Sequence, residues 1–458
     1  MRSRTGRRLV AGLLIAVAAV AFSGCTGSSK KKDTFKCAQV CAGTIHGAAY
    51  AIRMPKSWNG TLLVYSHGYR SDTGTGPGPA ALTQTDRTGV GADQLTQDLL
   101  ARGYALAGSS YASAGWAVDD ALTAANELHQ RFVQLIGPPK RVYAWGSSLG
   151  GLVTELLAER AAWVDGAVPM CGVVAGPLRT FDNALAALVA TKALLAPQLQ
   201  VSGWGNAASA AAQPQVATKA IQTAAADRTN GGAAKIVYLA ERFGLPLKTQ
   251  FFKGDSQVSL VSAAATSLAG YVTFALGILA QGEARFGGDA AQLPTTISAL
   301  QLTPNALGAV TALNGNPSAY AATISSAAAV PSSSTARAEL QASGDPTGRL
   351  RVPTVTMHTE FDPFAIIADE KVLADQVAGS GKAADLLQLF IAPPANYDTR
   401  TGPPYGINHC AFTDGQITGA ITVLDQWVRT SNRPAAGEVA HDVGAGLDPT
   451  FTPPQWPT

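Results

Sequence analysis

A serine alcohol attacks a carbonyl only when a base removes its proton and its side chain stands clear of the backbone. Gly146-Ser147-Ser148-Leu149-Gly150 meets the second condition. The two glycines leave room for a sharp bend, and Ser148 projects from its tip. Arg141-Val142-Tyr143-Ala144-Trp145 leads in as a buried strand, and Leu149 to Arg160 follows as a helix. A glycine-rich turn with no chemistry is the plain alternative; the strand before it and the helix after it argue against that. Six histidines compete as the base. His46 lies near the first cysteines, His129 in a helix and His441 in the tail, while His358, in or just after a strand, suits a hydrogen-bonded core role. His409 stands in Pro404-Tyr405-Gly406-Ile407-Asn408-His409-Cys410, between a strand and the last core helix. Two carboxylates, Glu360 and Asp362, precede it in a loop after another strand.

The elements that must position these groups alternate. Ala48 to Met54 and Thr61 to Ser66 read as strands around the turn Pro55-Lys56-Ser57-Trp58-Asn59-Gly60. Gln94 to Arg102 reads as a helix, Tyr104 to Ser109 as a strand, and Val118 to Ile136 as a helix with Asp119 and Asp120 well placed at its start. Gly166 to Pro169 is the next strand. This rhythm specifies an α/β fold with a mostly parallel sheet covered by helices on both faces. From 177 to 345 the chain turns alanine-rich and helical, with runs at Asn183 to Leu195, Ala233 to Phe243 and Ser259 to Gln281. The last of these has the length of a membrane span, but its Ser, Thr and Gly content favours a buried helix. Strands at Thr354 to Met357 and Leu386 to Ile391 and a helix at Gln416 to Val428 resume the pattern. The tail, 433–458, is proline-rich and is expected to wrap the surface or lack order.

Leu62-Leu63-Val64-Tyr65-Ser66-His67-Gly68-Tyr69, a strand running into His-Gly, resembles the oxyanion loop of the α/β-hydrolase superfamily. With the serine motif, the resemblance covers residues 36–176 and 346–432 and implies the α/β-hydrolase fold of a serine hydrolase. It implies Ser148 as nucleophile, His409 as base and Asp362 as acid, in the chain order of that superfamily. Asp362 follows from matching Pro353 and Pro363 to the family's usual prolines; Glu360 is the alternative. The backbone N–H groups of Tyr69 and Leu149 are implied as oxyanion donors, and His67 becomes a structural loop residue. The segment 177–345 is then a large helical cap inserted in the core. No metal or organic cofactor is implied. The expected substrate is a small-molecule or polymeric carboxylic ester, because the cap carries few charges. A secreted exopeptidase is the runner-up, and a surface lipoprotein that only binds is the third reading.

The five cysteines bear on compartment. The N-terminal segment, 1–24, has a positive start at Arg2, Arg4, Arg7 and Arg8 and an apolar run from Leu9 to Phe22. It resembles a bacterial lipoprotein signal in which Cys25 is lipidated, with 25–35 as a tether to the membrane surface. An ordinary signal peptide cut nearby is the alternative. Outside the cytoplasm, Cys37, Cys41, Cys171 and Cys410 can form two disulfides in three connectivities. Cys37 and Cys41 are close enough to pair locally, which leaves Cys171 with Cys410. Tannase-like and feruloyl-esterase-like enzymes are similar in tying the catalytic histidine through an adjacent cystine. Their partner cysteine precedes the serine, where this chain has Ser147, so Cys171 is the expected substitute. A zinc site or two unpaired thiols are the rival readings.

Composition excludes other classes. Hydrophobic residues make up 47% and charged residues 14%, too apolar for a disordered chain. A net charge of +3 over 458 residues, without a basic stripe, excludes a nucleic-acid partner.

Overall fold

The computed structural model describes residues 39–457 apart from 73, 87, 205–209, 294–301, 328 and 396–404. Cys25 and Cys37, with the expected signal (1–24) and tether (25–35) segments, lie outside the described residues.

Eight strands form one sheet: β1 (Val40–Ile45), β2 (Ala48–Arg53), β3 (Thr61–Ser66), β4 (Ala105–Ser109), β5 (Arg141–Ser147), β6 (Gly166–Met170), β7 (Thr354–Thr359) and β8 (Leu386–Ile391). Their order is β1-β2-β4-β3-β5-β6-β7-β8. The pairings of β2 with β1 and with β4 are antiparallel, and all the others are parallel. That order, with a sharp β5-to-helix turn, is the α/β-hydrolase fold.

The central strands are buried on both faces, so they read as continuous apolar runs. Their side chains still divide by the period of two. Leu62 and Val64 of β3 face one core, while Leu63 and Tyr65 face the other. The first core is closed by helices α2 (Val118–Leu135) and α3 (Leu149–Arg160). The second is closed by α1 (Gln94–Ala101) and, near the C-terminus, by the helices Asp414–Thr430 and Ala436–Val443. Helix α3 is buried on nearly every side, because further helices cover it.

Those helices enter between β6 and β7. They are α4 (Pro177–Leu194), α5 (Gln213–Ala226), α6 (Gly232–Arg242), α7 (Gln257–Phe286), α8 (Pro304–Ala312), α9 (Pro317–Ser325) and α10 (Ser334–Gly344). Ser256 caps α7 by accepting from Ser259 N. This helix is long and apolar enough to cross a membrane by composition, yet 56% of its most apolar window is buried against protein. Val261, Leu268, Val272 and Leu276 pack it into the first core. After β7 come α11 (Ala368–Gly379), then α12 (Asp414–Thr430) and α13 (Ala436–Val443).

Two elements differ from the sequence expectation. Strand β1 was not expected, since Val-Cys-Ala-Gly-Thr-Ile has no strict alternation and is mostly exposed. His46 and Gly47, both at positive φ, turn it into β2 as a two-residue hairpin without the usual Asn-Gly pair. The proline-rich tail holds α13, which packs on α12, and beyond it Leu447 bridges to Ile391 at the β8 edge.

Candidate active site

Ser148 sits between β5 and α3 with φ 62 and ψ −125. A non-glycine residue there is strained by about 1–3 kcal/mol and persists only if its surroundings enforce it. The surroundings do so by close backbone approach. A Cβ added at Gly150 would stand 1.9 Å from Ser66 O, and one at Gly146 would stand 2.5 Å from the same oxygen. Ser148 N donates to Met170 O at 3.0 Å, which ties the turn to β6.

The expected oxyanion donors flank this serine. Leu149 is the first residue of α3, so its N–H has no acceptor within the helix. The loop carrying Tyr69 presses on Ser148 from the other side: a Cβ at Gly68 would lie 3.0 Å from Ser148 Cβ and 3.5 Å from its Oγ. His67 braces that loop, its ring nitrogens 2.7 Å from Gly68 O and 3.1 Å from Ser110 O. Burial and then the neighbouring Arg70 depress its pKa to about 4. Tyr111 stacks on the ring and donates its O–H to His67 O at 2.8 Å. Both ring nitrogens of His67 are thus engaged by backbone carbonyls.

The loops that carry Asp362 and His409 are joined strand-fashion. Phe361 N donates to Gly406 O at 3.3 Å, and Asn408 N donates to Phe361 O at 3.1 Å. His409 Nδ1 lies 2.9 Å from both carboxylate oxygens of Asp362. Asp362 also accepts from Phe364 N at 2.9 Å, Ala365 N at 3.1 Å and Cys410 N at 3.2 Å. Asp362 is 1% exposed, and every donor around it is aimed at its oxygens. Glu360 is turned away. Its pKa is raised to about 7 by burial and then by Asp448, and it faces Asp448 and Lys248 instead of His409.

Cys410, next to the histidine, forms a disulfide with Cys171 at the end of β6, with their Cα atoms 5.4 Å apart. Cys41 is also disulfide-bonded; Cys37, its expected partner, lies outside the described residues. Although Asp362 lies close to the two sulfurs, their bond to each other leaves no thiolate pair for zinc. Replacing both Cys171 and Cys410 with alanine is expected to lower unfolding stability by about 2–5 kcal/mol. The shift in urea midpoint measures it, and a midpoint equal to wild type would contradict it.

Ser148 and His409 open into one cavity of about 580 Å³, walled by Tyr69, Thr273, Phe274 and Phe364. Phe364 meets the His409 ring edge-on at 5.4 Å and Phe274 at 5.7 Å. The Tyr69 hydroxyl donates to Gln281 Oε1 of α7, and burial pushes its pKa up to about 12. Among the described residues, none lining this cavity is Asp, Glu, Lys or Arg.

Sequence reasoning missed what lies behind the Asp362 turn. His358 is fully buried, with Nδ1 3.2 Å from Glu370 Oε1 and Nε2 donating to Ala365 O at 2.9 Å. Burial opposes its charge, but the hydrogen bond and charge of Glu370 outweigh it and raise the pKa to about 9. Nearby Asp369 is held protonated to about pH 8, chiefly by burial. Stability tied to the His358 charge is full below its unfolded pKa of about 6.5 and is lost as pH rises through about 9. Asp369 loses its proton in the same direction. Unfolding midpoints are therefore expected to fall from about pH 7 to about pH 10, less steeply in His358→Asn; equal slopes would contradict this.

No family model and no curated protein matches the chain. Among solved structures, feruloyl esterase B from Aspergillus oryzae is 14% identical, with 84% of this chain and 78% of that chain covered and a TM-score of 0.41. The rice cell wall degrading esterase LipA from Xanthomonas oryzae is 13% identical, with 85% and 89% covered and a TM-score of 0.37. Proline iminopeptidase from Mycobacterium smegmatis is 13% identical, with 86% and 100% covered and a TM-score of 0.36. These likenesses are distant; it is the strand order and connections of this chain that make the fold an α/β-hydrolase fold.

Proposed function

We propose that the protein is a serine hydrolase that cleaves carboxylic esters through an acyl-enzyme. The carrying observation is that His409, held by Asp362 through Nδ1, and the strained Ser148 border one cavity. In this mechanism His409 Nε2 takes the proton from Ser148 Oγ as the oxygen bonds to the ester carbonyl carbon. The Tyr69 and Leu149 N–H groups hold the oxyanion; one such donor is typically worth about 3 kcal/mol. As the C–O bond to the alcohol breaks, His409 returns the proton to the leaving oxygen. Water, deprotonated by His409, then attacks the acyl-enzyme and releases the acid and Ser148.

The lining, uncharged among the described residues, favours esters over peptide ends. An exopeptidase must hold a charged terminus, and burying that charge unpaired is costly. A purely binding role has no use for a histidine held so closely to a carboxylate at a strained serine. The inserted helices act as a cap in this reading. In this reading the chain is exported by segment 1–24 and anchored to the cell membrane, facing outside, by lipid on Cys25, with secretion as the alternative; the Cys171–Cys410 disulfide supports an oxidising compartment.

The test compares p-nitrophenyl acetate with alanine p-nitroanilide and an N-acylated dipeptide, each against Ser148→Ala. Serine-dependent cleavage of the acetate alone is expected. Serine-dependent cleavage of the amides with none of the acetate would replace the ester reading by the peptidase one.

A further inference from the structure

Helix α7 presents one face to three cavities in succession. Thr266 and Gly270 border a cavity of about 160 Å³. Gly270, Thr273 and Gly277 border the cavity of Ser148 and His409. Gly277, Gln281 and Arg285 border a third, of about 490 Å³. These positions recur every three or four residues, so they lie on one side of the helix. Gly270 and Phe364 are shared by the first two cavities, and Thr273 and Gly277 by the last two. At about 1.5 Å per residue, Thr266 to Arg285 spans about 28 Å, with Ser148 opposite its middle.

Both junctions lie at glycines. An added Cβ would stand 3.5 Å from the Phe364 ring at Gly270 and 3.7 Å from the Tyr69 hydroxyl at Gly277. A methyl group fits at either place, whereas a longer side chain would project into the passage. Among the described residues, three charged side chains border the groove; one of them, Asp72 at the far cavity, accepts from Gly74 N at 2.9 Å. Arg285 pairs with Asp120 at 3.1 Å and donates to Ser113 at 2.9 Å, and Lys248 lies over the Phe361 ring at 5.0 Å. The two ends differ: Phe251, Phe361 and Phe364 make the small cavity apolar, while Gln281, Arg285 and Ser113 add polar groups to a far one that is otherwise mostly apolar.

We propose that the three cavities form one groove that binds a long, uncharged ester across its middle, so that both the acyl and the alcohol parts extend well beyond the scissile bond. This rests on the serine hydrolase reading above. The direction follows from the base. His409 must reach the leaving oxygen, and it touches Phe364 while its neighbour Asn408 borders the small cavity. The alcohol part therefore runs beneath Phe364 towards Phe361, as an apolar chain. The acyl part runs past Tyr69 towards Gln281 and Arg285 and carries the polar groups.

Two ester series test this on the wild-type chain: acetates of lengthening n-alcohols, and ethyl esters of lengthening ω-hydroxy acids. In each, kcat/KM is expected to climb by up to about fourfold per buried methylene until its side of the groove is filled. Gly270→Leu is expected to reduce the gain with alcohol length about tenfold more than the gain with acyl length, and Gly277→Leu the reverse. Rates flat with length in either series overturn the groove while leaving the serine hydrolase reading in place. Failure to hydrolyse any ester, with Ser148→Ala equal to wild type, overturns both.

Discussion

Ser148→Ala is expected to lower kcat for an ester by about 10⁶ while leaving the fold intact, about 8 kcal/mol of transition-state stabilisation. The size follows from the mechanism. Without Oγ there is no covalent route, and His409 can only assist water from a position built for another nucleophile. The fold survives because alanine keeps the Cβ that the turn already accommodates at φ 62. Ser148→Gly separates strain from chemistry. Glycine enters this conformation freely, so that variant is expected to be equally inactive but more stable by about 1 kcal/mol. Steady-state kinetics and urea unfolding of the two variants check both halves. Activity near wild type in either would remove Ser148 from the mechanism.

Asp362→Asn is expected to cost about 10⁴ in kcat, with a smaller change in KM. His409 Nδ1 approaches both carboxylate oxygens at 2.9 Å, which fixes the tautomer with the proton on Nδ1, so that Nε2, 3.6 Å from Cys410 Sγ, carries the lone pair for the serine proton. An amide presents one oxygen and one N–H donor group. If its nitrogen faces the ring, Nδ1 must accept and Nε2 carries the proton, so the base is lost. If its oxygen faces the ring, the nitrogen meets the N–H groups of Phe364 and Ala365 or of Cys410, all donors. Glu360→Gln serves as the comparison, because Glu360 faces Asp448. Its effect on kcat is expected to stay within about tenfold. A larger loss in Glu360→Gln than in Asp362→Asn would reverse the assignment of the acid.

Local pattern made the central sheet legible. Each core strand is an apolar run next to a helix with its own period, so β3 to β8 appear where the sequence places them. Edge elements were not legible for the same reason: β1 is held by pairing with β2, not by a buried face. In the tail, frequent prolines hid the short apolar stripe of Val439 and Val443 that docks α13. The Ser148 turn was readable because its glycines are demanded by backbone contacts only a few residues away in sequence or in the neighbouring strand. The walls of the cavity were not. Phe274 and Gln281 meet Tyr69 only through the packing of α7, which no local spacing encodes. The buried His358–Glu370 pair was half legible: a core histidine was expected, but its partner lies one helix further on.

The most direct test of the central claim is labelling of the chain from Lys36 onward by a fluorophosphonate probe, beside Ser148→Ala. The account predicts that wild type is labelled at Ser148 and that the alanine variant, folded by circular dichroism, is not. Unlabelled wild type that is folded and accepts no ester, or equal labelling of the two proteins, would contradict it.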